Sequence, residues 1–182
     1  MATTYVALLR GINVGGRNKI RMVDLRSAFE SAGFGRVSTY IQSGNVIFDA
    51  DAVDRVTLTA SIERLLSERF GYDATITLRS RAELRATVRS APAGFGTRPE
   101  EYRSDVLFLL PPLTPAEAIA EIALKDGVDE VWPGPGAVYS ARLSARLSAS
   151  GLSRLATKPV YQQMTIRNWN TTTRLLALLD AR

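Results

Sequence analysis

The side chains most often used for acid–base, nucleophilic or metal chemistry are missing from this chain, which holds no histidine and no cysteine. Thiolate zinc sites, cysteine nucleophiles, disulfides and Ser-His-Asp arrangements are thereby excluded. It does hold a cationic, glycine-bearing stretch, Leu8-Leu9-Arg10-Gly11-Ile12-Asn13-Val14-Gly15-Gly16-Arg17-Asn18-Lys19-Ile20-Arg21, with four cationic side chains and no acid. Backbone N–H groups and positive charge turned towards one point are what an anionic ligand needs. The candidate ligand-binding residues here are Arg10, Gly11, Asn13, Gly15, Gly16, Arg17, Asn18 and Lys19. Glycines that merely permit unusual dihedrals, flanked by solvated arginines, account for the stretch equally well.

Known phosphate motifs do not fit it. Gly11 to Asn18 reads G-x-x-x-x-G-R-N, with Arg17 where a P-loop has its lysine and Asn18 where it needs a hydroxyl for magnesium. The dinucleotide pattern G-x-G-x-x-G is also absent, so no cofactor and no metal is expected. A second candidate is the polar tip Gln42-Ser43-Gly44-Asn45, where Gln42, Ser43 and Asn45 offer uncharged donors and acceptors. Turn preference for Ser, Gly and Asn explains such a tip without any ligand. The third is Thr165-Ile166-Arg167-Asn168-Trp169-Asn170-Thr171-Thr172-Thr173-Arg174, with Arg167, Asn168 and Asn170 as candidate binding residues. At helical spacing Arg167, Asn170, Thr171 and Arg174 form one polar stripe. Asn and Thr are unfavourable inside helices, so a cap at Thr165 or Asn168, a buried network or a ligand must compensate.

These segments sit between regular elements. Tyr5 to Leu9 reads as a strand, Met22 to Ala32 as a helix closed by Gly33, and Val37 to Ile41 and Val46 to Phe48 as a hairpin. Val53 to Arg69 reads as a helix capped by Asp51 or Asp54 and ended by Gly71, and Ala74 to Leu78 as a strand. The order β-α-β-β-α-β predicts a ferredoxin-like α/β plait over residues 1–80. Residues 81–182 repeat it with extra helices at each end. Ser80 and Glu83 suggest a capping box for a helix ending before Pro92, and Ala91 to Pro99 is a Gly- and Pro-rich loop. Asp105 to Leu110 is a buried strand, and Thr114-Pro115-Ala116-Glu117 opens a helix to about Leu124. Strands follow at Val128 to Trp132 and Ala137 to Leu143, then a short helix near Leu152 to Ala156, an extended Val160 to Met164 and a terminal helix. The expected fold class is α+β, two such plaits in tandem. Only Tyr5 and Phe48 could stack on RNA bases, a poor match to an RNA-recognition plait.

With 182 residues, 46% of them hydrophobic, the chain has material for a real core. The net charge of +5 is uneven: residues 141–182 carry seven Lys/Arg against one acid, and 20 of all 23 cations are Arg, the residue suited to bidentate phosphate contacts. Apolar runs are too short to span a bilayer and Met1 to Thr4 has no signal-peptide character, so a cytoplasmic protein without membrane attachment is expected.

The segments L-L-R-G-I-N-V-G-G-x-N-K-I, T-Y-I-Q-S-G-N-V-I-F and T-I-R-N-W-N-T resemble the signatures of the bacterial DUF1697 family, over nearly the whole chain from Tyr5 to Leu179. That resemblance implies two α/β-plait units and no established activity, substrate or cofactor. The expected function is a binding module for an anionic partner, either a nucleic acid or a phosphorylated small molecule. The alternative is an enzyme acting on a small phosphorylated or carboxylated substrate in a cleft between the plaits. Its nearest carboxylates would be Asp24 and Asp49. A homo-oligomer is possible in principle but nothing in the sequence indicates one.

Overall fold

Alternating apolar residues need a sheet with a covered face, and the chain builds two such sheets. The computed structural model describes residues 2–51 and 54–182, in two compact units: one runs to Ala82 and takes in Ala177–Arg182, the other is Glu83–Leu176. Each unit mixes helices with a four-stranded antiparallel sheet.

The first unit contains β1 (Thr3–Leu9), α1 (Met22–Ser31), β2 (Gly35–Tyr40), β3 (Asn45–Ala50), α2 (Arg55–Phe70) and β4 (Ile76–Ser80). The sheet order is β2-β3-β1-β4, with Tyr5 opposite Phe48 and Ala7 opposite Leu78. Residues two apart share a face, so Ala7, Leu9, Val46, Phe48, Ile76 and Leu78 bury together against Leu25 and Phe29 of α1 and Leu58, Ile62 and Leu66 of α2. Phe48 sits among Phe34, Phe29 and Tyr5, with ring centroids 4.8, 5.2 and 6.0 Å away. Of the two caps expected for α2, Asp54 serves, accepting the Thr57 N–H at 3.1 Å, and Gly71 ends the helix at φ 68°. Val53, the expected first residue of that helix, lies outside the described residues. Arg182 closes this unit, donating to the Arg36 carbonyl at 2.5 Å and to the Ser38 hydroxyl.

Along the chain α3 (Arg81–Arg89) leads into β5 (Tyr102–Leu109), α4 (Pro115–Ala120), β6 (Asp129–Gly134), β7 (Ala137–Leu143), β8 (Met164–Asn168) and α5 (Trp169–Asp180). The second sheet is ordered β6-β7-β5-β8. One face carries Leu107, Leu109, Val138 and Met164 against Ala118, Ile122, Leu152, Leu155 and Val160. On the other face Tyr139 is fully buried and its hydroxyl donates to the Thr87 carbonyl of α3 at 2.5 Å. Burial pushes that phenol up to about 12.

Several expectations need correction. The helix opened by Thr114 has the expected reciprocal cap with Glu117 but ends at Ala120, not near Leu124. The strand expected at Val128 to Trp132 is Asp129–Gly134, and it tolerates Pro133 because β6 is an edge strand. Between β7 and β8 the short helix expected near Leu152 to Ala156 is a 3₁₀ helix, Gly151–Thr157, flanked among the described residues by two more, Ser144–Ala149 and Pro159–Gln163. Val160 to Gln163 is therefore turned, and only Met164 onward is extended. Gly151 and Pro159 interrupt the stretch every few residues, which keeps it to short i→i+3 pieces such as Ser153 N–H to Ser150 O at 3.2 Å. The final residues of α5 belong with the first unit. Among the described residues no helix is long and apolar enough to cross a membrane.

Truncating Phe48 removes the ring on which three aromatic contacts converge. Phe48→Ala should destabilise the protein by about 3–5 kcal/mol in denaturant unfolding. A loss below about 1 kcal/mol would mean that this cluster does not hold the sheet against its helices.

Candidate functional site

Gly11 to Ile20 forms a small, self-bonded arch between β1 and α1. Its ends are fixed by burial, since Ile12 is 1% exposed and Ile20 5%. Between them the Asn13 N–H donates to the Asn18 carbonyl at 3.1 Å and the Arg17 N–H to the Val14 carbonyl at 3.0 Å. Gly15 (φ 57°) and Gly16 (φ 79°) are the central residues of that tight turn. Left-handed dihedrals at both central positions define a type I′ turn, which suits glycine. Asn13 (φ 53°) and Asn18 (φ 47°) are left-handed as well, a conformation asparagine tolerates through local side-chain bonding.

That bonding is extensive. The Asn13 carboxamide donates to the Ile20 carbonyl (3.0 Å) and the Gln42 carbonyl (2.8 Å), and its oxygen accepts the Ile20 N–H (2.8 Å). Asn18 donates to the Gly11 carbonyl at 2.9 Å. Asn13 thus ties the arch both to itself and to the β2–β3 tip. The tip is ordered from within: buried Asn45 donates to the Tyr40 carbonyl (2.8 Å) and to the Ser43 hydroxyl (3.1 Å). Gly44 lies so close to the arch that a Cβ there would be 2.5 Å from Ile12 Cδ1. Its carbonyl accepts the Leu9 N–H at 2.8 Å. The first two candidate segments therefore meet in one unit.

What the arch presents outward is cationic. Arg17 and Lys19 are exposed, and among the described residues neither forms an ion pair. Space is open around Gly15 and Gly16, and among the described residues their N–H groups donate no hydrogen bond. Gln42 is exposed, Ser43 and Arg10 half-buried. Arg21, by contrast, is committed to Asp24 through two contacts of 2.7 and 2.9 Å, which hold the Asp24 carboxyl below its usual range. Burial pushes Asp49 up, but hydrogen bonds from Arg36 and Thr4 outweigh it and leave its pKa lowered. Both carboxylates nearest the arch in sequence are occupied.

The third segment belongs to the second unit. The helical stripe expected for it is broken, because Arg167 lies in β8, opposite Val106, and only Asn170, Thr171 and Arg174 fall in α5. Arg167 is buried; desolvation lowers its pKa to about 10, and it donates to the Ile166 carbonyl at 2.9 Å. Of the two caps expected, Asn168 serves, accepting the Thr171 N–H at 2.7 Å, while Thr165 is buried within the strand. Asn168 and Asn170 are exposed, and the Trp169 ring packs edge-on against Phe95 at 5.0 Å.

Sequence reasoning missed Asp105. It is 1% exposed on β5 and accepts from Arg142 at 2.7 Å and Arg103 at 3.1 Å. Asn168 stands opposite it on one side and Ser140 on the other. A carboxylate opening an otherwise apolar strand, Asp105-Val106-Leu107-Phe108-Leu109-Leu110, was the available signal.

Removing the Asn13 carboxamide strips two carbonyls and one N–H of their partner. Asn13→Ala should lower stability by about 1–3 kcal/mol. It should also abolish hydrogen-exchange protection at the Ile20 amide, whereas unchanged protection there would show that the arch holds without its pin.

The sequence pattern described as protein of unknown function (DUF1697) matches residues 2–139. No curated protein matches the chain. Among solved structures it is similar to the conserved bacterial protein SP0830 from Streptococcus pneumoniae, with 28% identity and a TM-score of 0.84, covering 98% of this chain and 99% of that one. The match spans well over half of the sequence, and the chain belongs to the DUF1697 family of proteins of unknown function.

Proposed function

We propose that this protein is a non-catalytic binding module for an anionic partner, and that the Gly11–Lys19 arch is the contact element. The observation that carries this reading is the pairing of a pinned backbone with unspent charge. Asn13 and Asn18 fix the arch internally, while Arg17, Lys19 and the Gly15 and Gly16 N–H groups point to no protein partner among the described residues. An ordered donor array binds phosphate oxygens without first losing the entropy of a mobile loop. In this reading Asn13, Asn18 and Asn45 are positioning residues, and Gly11, Gly15 and Gly16 supply the backbone shape. Arg17 and Lys19 make the contact, with Arg10, Gln42 and Ser43 at its margin.

The arch is exposed from Val14 to Lys19, with open space around Gly15 and Gly16, which favours an extended polyanion such as a single-stranded nucleic acid over an isolated small phosphate. Catalysis has less support, because the arch and tip contain no carboxylate and Asp24 and Asp49 are ion-paired. The strand order shared by the two sheets, with the chain-order second strand at one edge and the fourth at the other, supports reading each unit as a ferredoxin-like plait.

Binding of short single-stranded RNA and DNA, followed by fluorescence anisotropy across a salt series, tests this. Affinity should fall linearly on a log–log plot, and Arg17→Ala and Lys19→Ala should each reduce the slope by about 1. No binding at low salt, or binding indifferent to salt, would overturn the nucleic-acid reading.

A further inference from the structure

The Gly- and Pro-rich loop after α3 has no role in the arch, yet it walls a cavity of about 410 Å³ wholly inside the Glu83–Leu176 unit. That volume lies within the usual range for small-molecule sites. Gly96, Tyr102, Arg103, Asn168, Trp169 and Asn170 are among the residues that line it.

The chemistry of this lining is specific. Trp169 offers a fixed ring, because Phe95 packs edge-on to it at 5.0 Å and Gly96 abuts it so tightly that a Cβ would lie 2.0 Å from its Cδ1. Only glycine fits there, so the loop and the indole are locked together. Tyr102 is less available as a platform, since the Arg98 guanidinium already sits over its ring at 4.8 Å. The Asn168 carboxamide has its oxygen committed to the Thr171 N–H, and its amide hydrogens donate to no group among the described residues. Asn170 and the Ser104 and Ser144 hydroxyls add neutral hydrogen-bonding groups. Arg103 spends its Nε on Asp105 at 3.1 Å, which anchors the guanidinium, while its side chain stays 57% exposed. No carboxylate lines the cavity among the described residues.

A held aromatic face, two carboxamides, two hydroxyls and one anchored guanidinium match a ligand with a planar heterocycle, hydroxyls and one anionic group. We propose that this cavity is a binding site for a nucleoside monophosphate. The base stacks on Trp169, the Asn168 and Asn170 amides meet its edge, and Arg103 takes the phosphate. The assignment does not depend on the arch of the other unit.

The test is ligand titration followed at the Trp169 indole N–H by NMR, with adenosine, guanosine, cytidine and uridine monophosphates, the free nucleosides and inorganic phosphate as separate arms. At least one monophosphate should shift that signal saturably, and its nucleoside should bind about tenfold more weakly, the loss expected for one charge-assisted contact. Arg103→Gln should erase that difference between nucleotide and nucleoside. Asn170→Ala should weaken both by about fivefold or more with melting temperature unchanged, because that side chain is exposed. Arg103→Gln gives up a bond to buried Asp105 and should also lower the melting temperature, Arg142 remaining as the carboxylate's partner. Arg17→Ala with Lys19→Ala should leave the titration unaltered. An indole signal that moves with no monophosphate, that moves equally with phosphate alone, or that responds identically in the Arg103 and Asn170 variants overturns the assignment.

Discussion

Three hydrogen bonds from one carboxamide hold the candidate site in shape. Asn13 bridges the far end of its own arch, at Ile20, and the tip of the neighbouring hairpin, at Gln42. Without it two carbonyls and an N–H would have to turn to solvent, and the arch would lose a hydrogen-bonded tie to the β2–β3 tip, which the close approach of Ile12 to Gly44 reinforces. A left-handed backbone at Asn13 is what aims the carboxamide at both targets, and its strain is offset by the bonds it permits. The type I′ turn at Gly15-Gly16 follows, because the two arms are brought into antiparallel register between Val14 and Arg17.

This arrangement separates two jobs that the sequence presents as one cluster. Asparagines and buried isoleucines build the arch, and the cations it exposes remain unspent. Arg21 was absorbed into the start of α1 by Asp24, and Arg167 into the second sheet, where burial lowers its pKa to about 10. A count of positive charges along the chain therefore overstates how many are both exposed and unpaired.

Much of the first unit was readable from residue pattern. Asp54, Gly71 and the alternation through Val46 and Phe48 carry local signals strong enough to fix element type, and tertiary packing had only to confirm them. The stretch from Ser144 to Gln163 was readable only in its middle, as the short helix near Leu152 to Ala156, because its Leu, Ser and Ala residues suit a helix while Gly151 and Pro159 divide it into 3₁₀ pieces. Arg167 was misplaced for a related reason: helical spacing from Arg167 to Arg174 looks continuous, but the strand ends and the helix begins at Asn168 and Trp169. The pinning role of Asn13 was invisible, since its partner Gln42 is 29 residues away and contributes only a backbone carbonyl. Asp105 was hidden by its neighbours, an acid read as the edge of a buried strand rather than as the centre of a pair with Arg103 and Arg142.

The proposed function stands or falls on whether the apex of the arch meets phosphate. A two-dimensional amide NMR titration with a short single-stranded oligonucleotide reads this residue by residue. Saturable shifts confined to Gly15, Gly16, Arg17 and their immediate neighbours are the predicted result. Shifts spread over other surfaces with those glycine amides unmoved would contradict it.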